Sequence, residues 1–194
     1  VLIVNGTSDQ ELIQHCLAGR TDAFGLLVER YQHRLYHALV HVLGSPTDAQ
    51  DVVQDAFVHA LEKLKTFRGE SAFYSWLFRI ALNAAVSARR KTRRMSTSVE
   101  ATRERIGTEP ADERASSQPF HALDVADRQR LVRQALGELP EEFRTVLVLK
   151  EMDGLPYEQI AEICDCPVGT VRSRLHRARL ELRGKLTGLL RREG

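Results

Sequence analysis

Every strong periodicity of apolar positions in this chain is helical, with repeats at steps of three and four. Residues 9–19 form a short amphipathic segment ending at Gly19. From Ala23 to Leu43 the apolar positions Phe24, Leu27, Val28, Tyr31, Leu35, Ala38, Leu39 and Val42 trace one sustained stripe, stopped by Gly44. Ser45-Pro46-Thr47-Asp48 then opens a third helix: a hydroxyl N-cap, proline at the first helical position and an acid at the third, in the layout of a capping box. That helix is predicted to run to about Leu64. After a loop at Lys65–Glu70, a fourth helix is predicted from Ser71 to about Arg93.

Periodicity then stops. Residues 95–124 fill with Ser, Thr, Glu and Ala, plus Pro110 and Pro119, and read as a flexible linker. Helical patterning returns over 126–138, 141–152 after Pro140, 157–164 and 167–190, with Gly154 at a bend. The expected fold is all-α: two small helical domains, 9–94 and 125–190, on a tether at 95–124.

The most informative stretch is 155–183. Ile160, Ala161 and Ile163 supply the apolar side of a short helix, with the small Ala161 where two crossing helices must approach closely. Asp165, Cys166 and Pro167 break it. In the helix that follows, Val168, Val171, Leu175, Ala178 and Leu182 form one buried stripe. Between them stand Arg172, Arg174, His176, Arg177, Arg179 and Arg183, with Glu181 the single acid. A helix apolar on one side and guanidinium-rich on the other, after such a turn, has the layout of a helix-turn-helix recognition helix. This end of the chain is expected to bind DNA.

Charge sharpens that picture. Across 194 residues the net charge is only +2. Yet 172–194 holds eight basic residues against two glutamates, a net of +6, while 95–127 holds seven acids against three arginines, a net of −4. Such asymmetry points to one polyanion-binding surface and a differently charged connector. Cys16, Cys164 and Cys166 form no disulfide framework, which fits a reducing cytoplasm, and read as small packing residues. His33, His37 and His41 share a helix face that reads as solvated rather than metal-binding. The initial VLIV is too short for a signal peptide and no apolar run approaches the ~18 residues of a membrane span, so a soluble protein without membrane insertion is expected. No P-loop, zinc-ligand spacing, G-x-S-x-G or nucleotide-binding glycine fingerprint occurs, so neither a cofactor nor an enzymatic activity is expected.

The N-terminal half offers two further faces. On the third helix Val53, Ala56, Phe57, Ala60 and Leu64 cluster on one side, and Asp48, Asp51, Asp55 and Glu62 on the other, flanked by Gln50 and Gln54. Acids near a helix start complement its dipole, which accounts for Asp48 and Asp51 but not for Asp55 or Glu62. Docking of a basic partner helix is the other reading, and the residues alone leave both standing. On the fourth helix Phe73, Leu77, Ile80 and Ala84 are expected in the core, with Trp76 at its edge and Tyr74 and Phe78 projecting beside it. Arg79, Asn83 and Arg90 share another face. Aromatic rings stack on unpaired bases, arginine holds phosphate and asparagine reads a base edge, so this half is expected to bind nucleic acid with a single-stranded component.

Four strings resemble bacterial sigma factors. They are Asp51-Val-Val-Gln-Asp-Ala-Phe57, Phe67-Arg-Gly-Glu-Ser-Ala-Phe-Tyr-Ser-Trp-Leu-Phe-Arg-Ile-Ala-Leu-Asn83, Leu139-Pro-Glu-Glu-Phe-Arg144 and Cys166-Pro-Val-Gly-Thr-Val-Arg-Ser-Arg174. The match is to the small extracytoplasmic-function (group IV) type of the sigma-70 family, in its sigma-E-like branch, and covers 9–190 apart from the linker. That resemblance implies a region 2-like bundle and a region 4-like helix-turn-helix domain. It implies that Asp48, Asp51, Gln54 and Asp55 dock on the largest subunit of core RNA polymerase. It implies that Phe67, Arg68, Gly69, Tyr74, Arg79, Asn83 and Arg90 read the −10 promoter element, with the loop Phe67–Ala72 capturing a flipped-out base. Thr170, Arg172, Ser173, His176 and Arg177 match positions that face the −35 element. An aromatic residue is common in the family where His176 stands, so its promoter contact differs here. The linker would thread toward the RNA exit channel. An anti-sigma factor, often membrane-anchored, is implied as a further partner, and a stress or envelope response as the setting. A stand-alone helix-turn-helix activator leaves the acidic and aromatic faces of the first half without a role, and a protein-only adaptor leaves the arginine face without one.

Overall fold

A computed structural model of the chain describes residues 6–99 and 125–193, and among these all regular structure is helical. Eight α-helices follow in order: α1 Asp9–Leu17, α2 Asp22–Leu43, α3 Pro46–Lys63, α4 Phe73–Val99, α5 Val125–Gly137, α6 Glu141–Glu151, α7 Tyr157–Cys164 and α8 Val168–Glu193, with a 3₁₀ turn at Leu64–Thr66 after α3. Their limits follow local chemistry. Ser8 caps α1 by accepting from the Glu11 N–H, and the Glu11 side chain returns to the Ser8 N–H, a complete capping box. The Ser8 bonds hold the Glu11 carboxyl below its usual range. The box expected at Ser45 forms only in half: Ser45 Oγ accepts from the Asp48 N–H at 3.2 Å, while the shorter aspartate makes no return bond. Gly44 ends α2 in the left-handed region at φ +76°, where its N–H reaches Val40 O.

The first lobe packs α1 and α3 on α2, and α4 on α3. Leu12, Leu27, Leu35, Leu39, Leu64, Leu77 and Phe78 are among its largest fully buried side chains, and truncating any of the leucines to alanine would cost about 2–5 kcal/mol. In the second lobe α6 and α7 pack on α8 around Val146, Leu149, Ile160 and Leu175, and α5 packs on α8 through a smaller cluster of Leu131, Ala135 and Leu189. The predicted stripe of α8 is the observed one: Val171, Leu175 and Ala178 are buried, and Val168 and Leu182 half-buried.

Three expectations change. Tyr74 and Phe78 do not project beside the core but lie within it, 3% and 0% exposed. On α4 the deep position is Ala81, and Ile80 and Ala84 are half-buried, so the stripe is rotated from the one expected. That helix also runs on to Val99, because no glycine or proline interrupts it, and so covers the first part of the segment read as linker. The remainder of that segment, 100–124, lies outside the described residues.

The two lobes are not separate. Helix α7 packs on α4, and α6 and α5 pack on α2, so one continuous apolar core runs from Leu12 to Ala178.

Candidate nucleic-acid and partner surfaces

The α7–α8 turn sets the C-terminal surface. Asp165 caps α7 in the left-handed region at φ +48°, a conformation that Asp tolerates better than most residues. The Cys166 N–H then returns to Ala161 O at 3.1 Å, and Pro167 O accepts from Thr170 N–H at 2.9 Å to start α8. Burial pushes the Cys164 thiol up to about 12, as suits a packing residue. On α8, Thr170, Arg172, Ser173, His176 and Arg177 lie on the side opposite the buried stripe; Thr170 is half-buried and the other four are exposed. The Ser173 hydroxyl donates to Thr170 O at 2.9 Å. Arg172 lies 5.9 Å from the Tyr157 ring centre, within cation–π range.

The arginine face divides. Arg174 pairs with Glu142 at 2.6 Å, and Arg179 grips Glu151 through Nε at 3.0 Å and a terminal nitrogen at 2.6 Å. Both flank the outward arc and brace α8 on α6. Arg172 and Arg177 carry no acid partner among the described residues, so their charge is available to a polyanion.

In the first lobe, Asp48, Asp51, Gln54 and Asp55 are all exposed on α3, as expected, and none of the three acids is paired with a cation among the described residues. Glu62 is engaged by His59 at 3.2 Å. Beside the acids α3 also presents Val58, 56% exposed, and on the flank between the acidic and core sides Leu61, 44% exposed. The sequence reading missed both. Their signal was two large apolar residues outside the core stripe, Val58 about 20° from Asp51 by 100° steps and Leu61 at the border between the acidic and core sides, about 40° from Phe57.

The −10 candidates fall into three environments. Phe67 is half-buried in an aromatic cluster, 5.1 Å from Trp76 and 5.8 Å from Phe73 between ring centres. Arg68, Gly69, Arg79, Asn83 and Arg90 are exposed. Tyr74 is buried beneath the second lobe, where its hydroxyl donates to Asp153. Beside the loop lies a polar cavity of about 210 Å³ lined by Glu70, Ser71, Ser75, Trp76, Arg79 and, from α7, Glu162. The Ser75 hydroxyl is buried there and has no hydrogen-bond partner among the described residues. No feature of the sequence singled out Ser75, which reads as one more small residue in a helix.

Comparison with known proteins decides the family. Residues 27–95 match sigma-70 region 2, and residues 129–182 match sigma-70, region 4. The chain is 39% identical over 188 residues to the ECF RNA polymerase sigma-E factor of Haemophilus influenzae, covering 94% of this chain and 97% of that one. It belongs to the extracytoplasmic-function sigma factors. Sigma factors are initiation factors of transcription and not enzymes. Two solved structures share the fold of this sigma factor. One is the sigma factor RpoE in complex with the anti-sigma factor NepR from Bartonella quintana, with TM-score 0.66, 28% identity and coverage of 84% and 96% of the two chains. The other is CnrH in complex with the cytosolic domain of CnrY, with TM-score 0.63, 30% identity and coverage of 96% and 99%. Among the described residues no helix of the sigma factor is long and apolar enough to cross a membrane, and no cluster of side chains could hold a metal ion.

Proposed function

We propose that this sigma factor docks on core RNA polymerase through the Asp48–Leu61 side of α3 and reads two promoter elements with its two lobes. The division of the α8 arginines carries this reading. Arg174 and Arg179 are tied down by α6 acids, while Arg172 and Arg177 have no acid partner among the described residues and stand beside Thr170, Ser173 and His176 on one outward arc. A helix braced in this way presents a fixed set of donors to the major groove of the −35 element. The domain limits expected from sequence, 9–94 and 125–190, are retained for these two functions.

The first lobe would hold the −10 element. The cavity beside Phe67–Ala72 offers Ser75 and Arg79 to a base taken out of the stack, with Trp76 as its aromatic wall. Asn83 lies one helical turn beyond Arg79 and would extend the contact along the strand. On α3 the free acids would meet a basic helix of the polymerase, and Val58 and Leu61 would supply the apolar centre of that contact. By analogy with the RpoE–NepR complex, an anti-sigma factor is the expected inhibitor, acting in the cytoplasm on a stress or envelope response. Affinity capture with purified bacterial core polymerase tests the reading. The sigma factor should co-elute with core and bring sequence-specific promoter binding to it; failure to bind active core refutes the assignment.

A further inference from the structure

We propose that the second lobe carries a binding groove, between α5, α6 and α8, for a single-chain amphiphile with an anionic head, of fatty-acid type. The groove lies wholly within that lobe and does not depend on the promoter-reading roles proposed above.

Its volume is about 590 Å³, inside the range of about 300–1,000 Å³ in which small-molecule sites fall. Leu136 of α5, with Leu147 and Val148 of α6, makes a buried floor. Leu182 and Leu186 of α8 are half-buried along one wall. At the mouth stand Val132, Met152 and Leu190, 40%, 53% and 47% exposed. Their exposure follows from the helix packing. Because α5 meets α8 through Leu131, Ala135 and Leu189, the next residue on each helix, Val132 and Leu190, is turned out of that contact and toward the groove. Single exposed apolar side chains are ordinary on a protein surface, but three round one apolar concavity form a patch of the kind that marks a binding site.

The placing of charge selects the occupant. Arg179 and Arg183 line one end of the groove on α8. The acid in the lining, Glu151, is held by Arg179 at 2.6 Å, whereas Arg183 has no acid partner among the described residues. Glu181, two residues away, lies about 200° round the helix from Arg183. From Arg183 to Leu190 the wall runs on for about 10 Å of helix. Along that length its one polar side chain is Thr187, whose hydroxyl already donates to Arg183 O at 2.9 Å.

The groove is therefore cationic at one end and apolar beyond it. A docked amphipathic helix carries charge along both flanks of its apolar stripe, whereas this groove offers one unpaired charge, at one end. That is the complement of a head and a tail. A carboxylate head accepts the paired N–H donors of the Arg183 guanidinium, and the chain covers the apolar length and removes it from water.

Calorimetric titration of the full chain with decanoate, and with decanol as the same chain without the charge, tests this. Decanoate should fill one saturable site below its micelle concentration. Arg183→Glu should weaken decanoate by about tenfold or more and leave decanol nearly unchanged, because only the charged head loses its hydrogen bonds. Met152→Glu and Leu190→Glu should each abolish binding of both ligands; both sites are exposed, so the thermal midpoint should hold and misfolding is separately read. No saturable binding of decanoate, or binding that none of the three variants reduces, would overturn the proposal. Equal weakening of decanol by Arg183→Glu would overturn the assignment of the head. Two further outcomes would also overturn it, each with decanoate failing to bind. In one, Met152→Glu and Leu190→Glu weaken capture by core polymerase, and the groove takes a protein helix. In the other, they dissolve a concentration-dependent dimer, and the groove takes a second copy of the chain.

Discussion

Tyr74 of α4 donates its hydroxyl to Asp153, 79 residues later in the chain, and this bond marks where the two DNA-reading lobes meet. Burial, with Asp153 beside it, raises the Tyr74 phenol far above its ordinary pKa, so it stays a donor at any physiological pH. Tyr31 stacks on the same ring at 5.6 Å and is likewise pushed up, to about 12, by burial and by Asp9.

Removing only that hydroxyl isolates the bond. Tyr74→Phe keeps the ring in the core and leaves Asp153 paired to Arg34, so the cost should be about 1–2 kcal/mol. Urea denaturation of the full chain should show the midpoint fall with little change in slope.

Stability should also depend on pH through His41. Burial lowers its pKa below 6.5, with help from Arg133 and His37. The unfolded chain therefore takes up the proton first as pH falls, and stability is lost as pH drops below about 6.5, levelling off beneath the lowered pKa. His41→Gln should flatten this part of the stability–pH curve. An unchanged curve would place the acid sensitivity elsewhere.

On α3, Asp51→Arg with Asp55→Arg should weaken binding to core polymerase by placing like charge against a basic partner. Leu61→Ser should weaken it as well, by removing exposed apolar contact area. All three sites are exposed, so thermal stability should shift by no more than about 0.5 kcal/mol. Titration of labelled core reads both effects.

Much of this was legible in the sequence, because each helix stripe is a local pattern closed by a local breaker such as Gly44, Pro140 or Asp165-Cys166-Pro167. The outward arc of α8 was legible for the same reason. The seam was not. Asp153 reads as an ordinary turn residue, and nothing within a few positions of Tyr74 announces a partner 79 residues away. Tyr74 and Phe78 therefore looked like spare aromatics next to the stripe, when a second layer of core covers them. Val58, Leu61 and Ser75 were missed because a one-helix periodicity assigns only the strongest face.

The two DNA-reading surfaces should fail differently. Arg172→Ala or Arg177→Ala should weaken −35 recognition, by about 1–3 kcal/mol at one position for a base contact, or uniformly with a salt slope lower by about one for a phosphate contact. Arg174→Ala, which loses only its brace to Glu142, should reduce stability by roughly 1 kcal/mol or less and leave promoter preference intact. Asn83→Ala should spare −35 binding and lower discrimination at −10, read by permanganate footprinting of the melted region.

Run-off transcription with purified core polymerase on a promoter library tests the central claim most directly. Core enzyme plus this protein should initiate at a defined subset of promoters that share a −35 and a −10 sequence, and core enzyme alone should not. Active core that gains no specific start site on any promoter when the protein is added would contradict the account.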